Sequence, residues 1–289
     1  MRTGLRDGRL RAHLLSARDR GAALQYLDRH RRENLLLAEL VAGVGRSAPP
    51  SELPPQVIGV WRGGEITGIA SMRPSMVLDH ELDDEALDAC LPLLGGAESG
   101  LIKSRRCGVT RLWQHLSARG RQALIDRGET AWGLAVERVT EPLPLLPEGA
   151  RWRRASDSDL DDLVYAARAS LREEDRPDPF DGDPVGFRRW VRGRLSRARL
   201  VDLGGRPVFV GYADVRRPEG WLIQGVYTWR EHRRRGFARA GMAALVREAF
   251  EAGTEHVQLA VVDGNQPAIG LYASLGFEPF CELRTILFL

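Results

Sequence analysis

Pro142, Pro144 and Pro147 fall within six residues near the middle of the chain, and neither a helix nor a central strand can pass through them. Proline lacks a backbone N–H and fixes φ, so residues 141–150 read as a semi-rigid connector. It divides the 289 residues into a first half, 1–140, and a second, 151–289. Each is long enough to bury a core of its own.

Composition narrows the class. With 43% hydrophobic and 28% charged residues the chain is an ordinary globular one, which excludes disordered and collagen-like proteins. A net charge of +3 on 42 basic and 39 acidic residues provides no basic field for nucleic acid. No run approaches the ~20 apolar residues that span a bilayer, and the arginine-rich start lacks the apolar core of a secretory signal. Cys90, Cys107 and Cys281 are too scattered for a disulfide framework or a metal site, so a reducing cytoplasm and no metal are expected. Lys103 is the single lysine; arginine carries the rest of the positive charge.

Apolar spacing predicts helices over residues 19–29 and 33–44, then a loop through Pro49, Pro50, Pro54 and Pro55. Strands at 57–61 and 66–70 flank Gly63-Gly64, a hairpin signal. A helix ending near residue 94, a short strand at Leu101-Ile102, a helix over 110–116 and a strand over 131–136 follow. In the second half, Ser156 and Asp159 start a helix reaching 171, and another covers 185–195. Strands are expected at 198–202, 207–215, 221–228, 256–262 and 280–289, with helices over 236–252 and 267–274. The fold class is α/β in the broad α+β sense: mixed sheets flanked by helices.

The most informative stretch is Trp229-Arg230-Glu231-His232-Arg233-Arg234-Arg235-Gly236, where an extended segment ends and a helix begins. A helix start carries unpaired N–H groups and the positive end of its dipole. Gly236 and Ala238 are small enough to admit a ligand, while Arg233, Arg234, Arg235 and Arg239 add charge. Such a tip suits a phosphate or pyrophosphate. Taken alone, the same residues also describe a solvated loop with a glycine turn.

Further along stand Asn265, Ala268, Leu271-Tyr272 and Leu275-Gly276-Phe277. Together with Arg233-x-x-Gly236-x-Ala238, in this order and after a strand, they resemble the GNAT superfamily of acyl-CoA-dependent N-acetyltransferases over residues 151–289. The resemblance implies that the backbone of Val226, Tyr227 and Thr228 lines the pantetheine arm of acetyl-CoA and supplies an oxyanion donor. It implies that Arg233 and the amides of Arg234, Arg235, Gly236, Phe237, Ala238 and Arg239 hold the pyrophosphate. Asn265 would contact the cofactor and Tyr272 would be the general acid. A phenol with an unperturbed pKa near ~10 carries the proton that a departing thiolate needs. Asn265 also reads as a helix cap, and Tyr272 as a core aromatic beside Leu271 and Leu275.

The attacking amine must be neutral, which calls for a base acting directly or through water. Gln224 stands where the family often has a strand glutamate, and residues 259–262 are apolar. Glu173 and Glu174, which the family fold places along the acceptor groove, are the candidate catalytic carboxylates. They also read as a solvated acidic turn with Asp175. Asp214 and His232 are weaker options, and a water-mediated route without a single base is another.

The first half has no Arg/Gln-x-x-Gly-x-Gly/Ala segment; Lys103-Ser104-Arg105-Arg106-Cys107-Gly108 occupies a strand-to-helix junction without matching it. This half is expected to be a degenerate GNAT-like copy beside an intact one, as in a bacterial group with a divergent N-terminal half. It would either shape the acceptor site or cover a sheet edge. The expected activity is a cytoplasmic N-acetyltransferase moving acetyl from acetyl-CoA to a small-molecule or peptide amine in a ternary complex, with no nucleic-acid or membrane partner. A non-catalytic acyl-CoA-binding regulatory module and a tandem-fold aminoacyl or peptidyl transferase are the alternatives.

Overall fold

A computed structural model describes residues 9–48, 53–139 and 142–289; Pro49, Pro50, Glu141 and the start of the chain up to residue 8 lie outside the described residues. The elements begin β1 (Arg11–Leu14), α1 (Arg20–Leu27), α2 (Leu35–Gly43), β2 (Gln56–Arg62), β3 (Glu65–Arg73) and α3 (Asp84–Leu94). They continue with β4 (Gly100–Arg105), α4 (Arg106–Ser117), β5 (Ala123–Ala135), β6 (Ala150–Arg154), α5 (Leu160–Glu173) and α6 (Pro184–Gly193). The last are β7 (Ala198–Leu203), β8 (Arg206–Arg216), β9 (Trp221–Thr228), α7 (Phe237–Glu251), β10 (His256–Val262), α8 (Gln266–Ala273) and β11 (Glu278–Phe288).

Packing divides these elements into two compact units, Met1–Glu129 with Cys281–Leu289, and Thr130–Phe280. The division therefore falls elsewhere than at the prolines, and the last nine residues belong with the first unit rather than with 151–280. The reason is hydrogen bonding and burial. From Leu283↔Arg105 to Phe288↔Gly100, β11 pairs antiparallel with β4. Leu289 exchanges two backbone bonds of 3.0 Å with Gln122. Ile286 and Phe288 are fully buried beside Ile102, Leu112 and Leu116.

In the first unit, β2 and β3 form the hairpin expected around Gly63-Gly64, with β1 on its outer edge. Leu27, Leu37 and Val41 of α1 and α2 pack on Val57 and Ile69, and Leu87, Leu91 and Leu94 of α3 pack with Ile58 and Val60. The single lysine is structural. Lys103 of β4 pairs with Glu129 of β5, whose other oxygen accepts from Arg127 Nε at 3.0 Å. Glu129 is only 2% exposed. Burial pushes its carboxyl up, but Lys103 and Arg127 outweigh this and hold it at about 2.

In the second unit the strands run β10-β9-β8-β7-β6, with β5 from Thr130 onward beside β10. Met242, Leu245 and Val246 of α7 cover one face with Phe209 and Ile223, while α5 and α6 cover the other through Leu163, Phe187 and Val191. The helix α7 sits directly on β8: a Cβ on Gly241 would stand 2.4 Å from the Phe209 ring, and one on Gly211 would stand 2.7 Å from Leu245. Arg199 of β7, 1% exposed, adds a clamp of 2.5–2.8 Å bonds to Glu248 on α7. The Ser156/Asp159 capping box starts the α5 region as expected, and Arg153 of β6 bridges Asp159 and Asp202.

Two strands, β1 and β6, carry no sequence signal, because both are short with no fully buried residue, and β6 has three arginines among its five positions. The strand β5 starts eight residues earlier than expected, since Asp126, Arg127 and Glu129 find ionic partners there. A folded-state carboxyl held below its ordinary value stabilises the protein above the unfolded pKa of 4.5, and that contribution fades as pH falls toward 2. Glu129→Gln should therefore cost about 3 kcal/mol at neutral pH, and its difference from wild type in urea melts should shrink below pH 4.5. An equal difference at pH 7 and pH 2.5 would contradict this role for Glu129.

Candidate active site

The strand β9 has two unlike edges. On one side it pairs with β8 from Phe209↔Thr228 to Arg216↔Trp221. On the other it pairs in parallel with β10 only at Val257↔Trp221 and Gln258↔Leu222. Beyond these rungs no pairing continues among the described residues, so the edge running through Val226, Tyr227 and Thr228 faces a parting between strands. Backbone N–H groups on such an edge need another partner. A bulge sits at the parting: Val210↔Tyr227 is followed by Tyr212↔Gln224, which leaves one extra residue on β9. Gly225 absorbs it at φ +58, a conformation that costs a residue with a Cβ. Side-chain alternation is thereby reset, so Ile223 and Val226 face the α7 side while Tyr227 faces α5 and α6.

Next comes the arginine loop. A turn at Arg230–His232 leads to extended Arg233, then Arg234 at φ +61 and Gly236 at φ +85, the residue that begins α7. Left-handed backbone at two nearly adjacent positions favours concavities of converging amides. No side chain caps α7, and no acid lies in its first turn. A Cβ on Gly236 would meet nothing within 4 Å, so the tip opens onto free space. Arg234, Arg235 and Arg239 are exposed around it. Arg233 is turned the other way: its Nε donates to Thr228 O at 3.0 Å and its Nη2 to both Glu173 oxygens at 2.8–2.9 Å. Arg235 Nη1 lies 3.2 Å from His232 Nδ1, and its guanidinium sits over Phe237.

Asn265 accepts from Ala268 N at 3.2 Å and so caps α8, the first of its two readings. Tyr272 is 6% exposed in the α7-side core, 5.8 Å from the Phe277 ring centre. Burial pushes its phenol well above the usual range and the Glu174 charge pushes it the same way, so it holds its proton at neutral pH. The two sequence-selected carboxylates thus part company. Glu173 is tied to Arg233 beside Tyr227, while Glu174, at the end of α5, is the one whose field reaches Tyr272. Glu174 also accepts from Ser170 Oγ at 3.4 Å and lies 3.7 Å from Arg176. Asp214 is bound by Arg194 through Nη2 at 2.5 Å and Nε at 3.3 Å, which removes it from consideration as a free base. Arg194 and Tyr212 border the Gly225 bulge and were marked by no motif; a lone arginine following a helix carries no signal in one sequence.

Residues 161–277 match the Acetyltransferase (GNAT) family. This part of the chain is a GNAT acetyltransferase domain. Among characterised proteins, the L-ornithine N5-acetyltransferase NATA1 of Arabidopsis thaliana is 29% identical over 76 residues, 26% of this chain and 33% of that protein. The match thus spans about a third of that relative's length. A Drosophila protein of solved structure has a TM-score of 0.69 at 15% identity, covering 96% of this chain and 98% of that one. A GCN5-related N-acetyltransferase from Sphaerobacter thermophilus has a TM-score of 0.59 at 16% identity over 96% and 95%. A tandem GNAT protein from the clavulanic acid biosynthesis pathway has a TM-score of 0.55 at 18% identity over 96% and 97%. At these identities the likeness is one of fold.

The first unit repeats the GNAT domain's strand-to-helix junction with opposite chemistry. The residues pairing in parallel with β4 are at Met76↔Ile102, so the counterpart of the arginine loop is the segment 79–83, not 103–108. There Asp83 caps α3 through Ala86 N at 2.7 Å, and Asp84 and Glu85 fill its first turn. The Ser104 hydroxyl takes the Leu78 N–H at 2.7 Å. A cavity of about 360 Å³ remains, lined by Asp79, His80, Glu81, Arg105, Cys107 and Arg111, but its helix start is already neutralised. The α7 tip is therefore the place to test. Coenzyme A at about a hundred times its Kd should raise the melting temperature by roughly 5–10 °C. Gly236→Asp, which fills the open tip and adds negative charge, should abolish the rise even if its own baseline Tm is lower. A full rise in the mutant would refute the assignment.

Proposed function

We propose that the GNAT domain transfers acetyl from acetyl-CoA to the primary amine of a small molecule or peptide by direct attack in a ternary complex. The observation that carries this reading is the pairing of an uncapped, acid-free α7 tip with the parted edge of β9. A thioester donor with a pyrophosphate handle suits both: the tip amides and Arg234, Arg235 and Arg239 would take the phosphates, and residues 226–228 would hold the arm. Asn265 would contribute from the start of α8 while capping it. The family uses acetyl-CoA, and the plant relative is named for acetylation of an ornithine side-chain amine.

In this mechanism a neutral amine attacks the thioester carbon, and an N–H of the β9 edge stabilises the oxyanion. As the C–N bond forms and the C–S bond breaks, Tyr272 protonates the departing sulfur. The extra proton on nitrogen passes to Glu174, directly or through water, and Glu174 restores the Tyr272 proton through their shared environment. Glu173 acts differently, as a positioning residue: both its oxygens accept from Arg233 Nη2, whose Nε donates to Thr228 O, and this fixes the backbone that joins β9 to the loop.

The non-catalytic acyl-CoA-binding reading draws its support from Gln224, an amide on β9 that cannot accept a proton. A tandem aminoacyl transferase has no use for an open phosphate tip, which counts against that alternative. Cytoplasmic operation, without nucleic-acid partners, belongs to the proposed reading; no helix among the described residues is long and apolar enough to cross a membrane.

Thiol release from acetyl-CoA with a panel of amines tests turnover. Tyr272→Phe should lower kcat about 10²-fold, and Glu174→Gln should lower it about 10-fold or more. Both should keep coenzyme A affinity within about threefold. Unchanged turnover in Tyr272→Phe would remove it as the acid, and no thiol release with any amine would favour the binding module.

A further inference from the structure

We propose that Arg194 recognises a carboxylate on the acceptor, so that the amine substrate is an amino acid rather than a diamine or an amino sugar; this rests on the acyltransfer reading. The argument begins with an incomplete fork. Arg194 follows α6, and its guanidinium is bracketed by the rings of Tyr212 at 4.2 Å and Trp190 at 5.1 Å. Asp214 engages it side-on, through Nε and Nη2. A guanidinium has five N–H donors. The end-on edge, Nη1 with the second Nη2 hydrogen, has no partner among the described residues. That edge matches a second carboxylate bidentately.

Its position is as telling as its valence. Arg194 Nη2 lies 3.5 Å from where a Gly225 Cβ would stand, and Gly225 itself is exposed. Through Nη2 the fork thus lies against the bulge, directly before the residues that would hold the thioester. Arg194 and Asp214 are 16% and 11% exposed, so the fork is held rigidly and shielded from bulk water, and a contact there is strengthened. Arg197 Nη1, 4.0 Å from Asp214, places a second cation near the same carboxylate. A cationic diamine would meet repulsion at this point, whereas the carboxylate of an amino acid would be attracted while its distal amine reaches the thioester.

Matched pairs isolate the carboxylate: ornithine against putrescine, lysine against cadaverine, and 2,4-diaminobutyrate against 1,3-diaminopropane. In the wild-type full chain the carboxylated member should have a kcat/KM at least about 10-fold higher, and calorimetry with coenzyme A present should show the same order of affinity. Arg194→Gln and Arg194→Lys should reduce the ratio to below about twofold, chiefly through KM. Because Arg194→Gln leaves Asp214 buried beside fewer cations and could fail to fold, the double variant Arg194→Gln/Asp214→Asn removes both charges and should show the same collapsed ratio. A wild-type preference for diamines, no discrimination in either assay, or a ratio that survives in Arg194→Lys would overturn the proposal. Coenzyme A stabilisation reads the underlying acyl-CoA assignment separately: if it is intact while discrimination is absent, only the Arg194 assignment fails.

Discussion

Past the rung between Gln258 and Leu222, β9 and β10 cease to hydrogen-bond, and the proposed chemistry of the second unit depends on that parting. Each lost rung leaves an N–H and a carbonyl that folding has not satisfied, which is costly in a buried sheet and useful only where a ligand supplies the missing partner. The Gly225 bulge accompanies the parting and re-aims the strand, sending Tyr227 to the face of Glu173 and Arg233. Under the proposed reading, one backbone irregularity would present an open edge to a donor and a gap to an acceptor, and the arginine loop lies a few residues downstream.

The two units differ in how this junction is satisfied. In the first, Ser104 occupies the N–H at the end of the short parallel contact, and acids occupy the start of α3. Both changes improve local stability: a capped helix with carboxylates in its first turn is favoured by its own dipole. In the second, α7 begins at an uncapped glycine preceded by a non-glycine residue in left-handed conformation. That arrangement is less stable than what the sequence could have encoded, and such local sacrifices concentrate where ligands bind.

Much of this was legible from residue order. The hairpin at Gly63-Gly64, the long helices and the arginine loop are local features whose signals lie within a few positions of one another. Tyr272 and Asn265 were legible through motif spacing, which placed both on α8 or at its start. What escaped is non-local. Arg233 and Glu173 are 60 residues apart, and nothing along the chain announces their pair. Asp214 reads as a possible base in the sequence, but in the fold Arg194 lies against it. The Gly225 bulge is invisible because a glycine within a strand has several readings, and the assignment of β11 to the first unit rests on a register that no apolar pattern encodes.

That register has a consequence for how the protein is made. A ribosome delivers the chain from its amino end, yet the first unit lacks Ile286 and Phe288, two fully buried members of its interior, until the whole of the second unit has been made. The portion synthesised first must therefore wait with an apolar slot and an unpaired β4 edge while some 150 later residues emerge. Maturation of the first unit is thus coupled to synthesis of β11, and a chain cut short before that strand exposes a sticky edge instead of leaving one finished half.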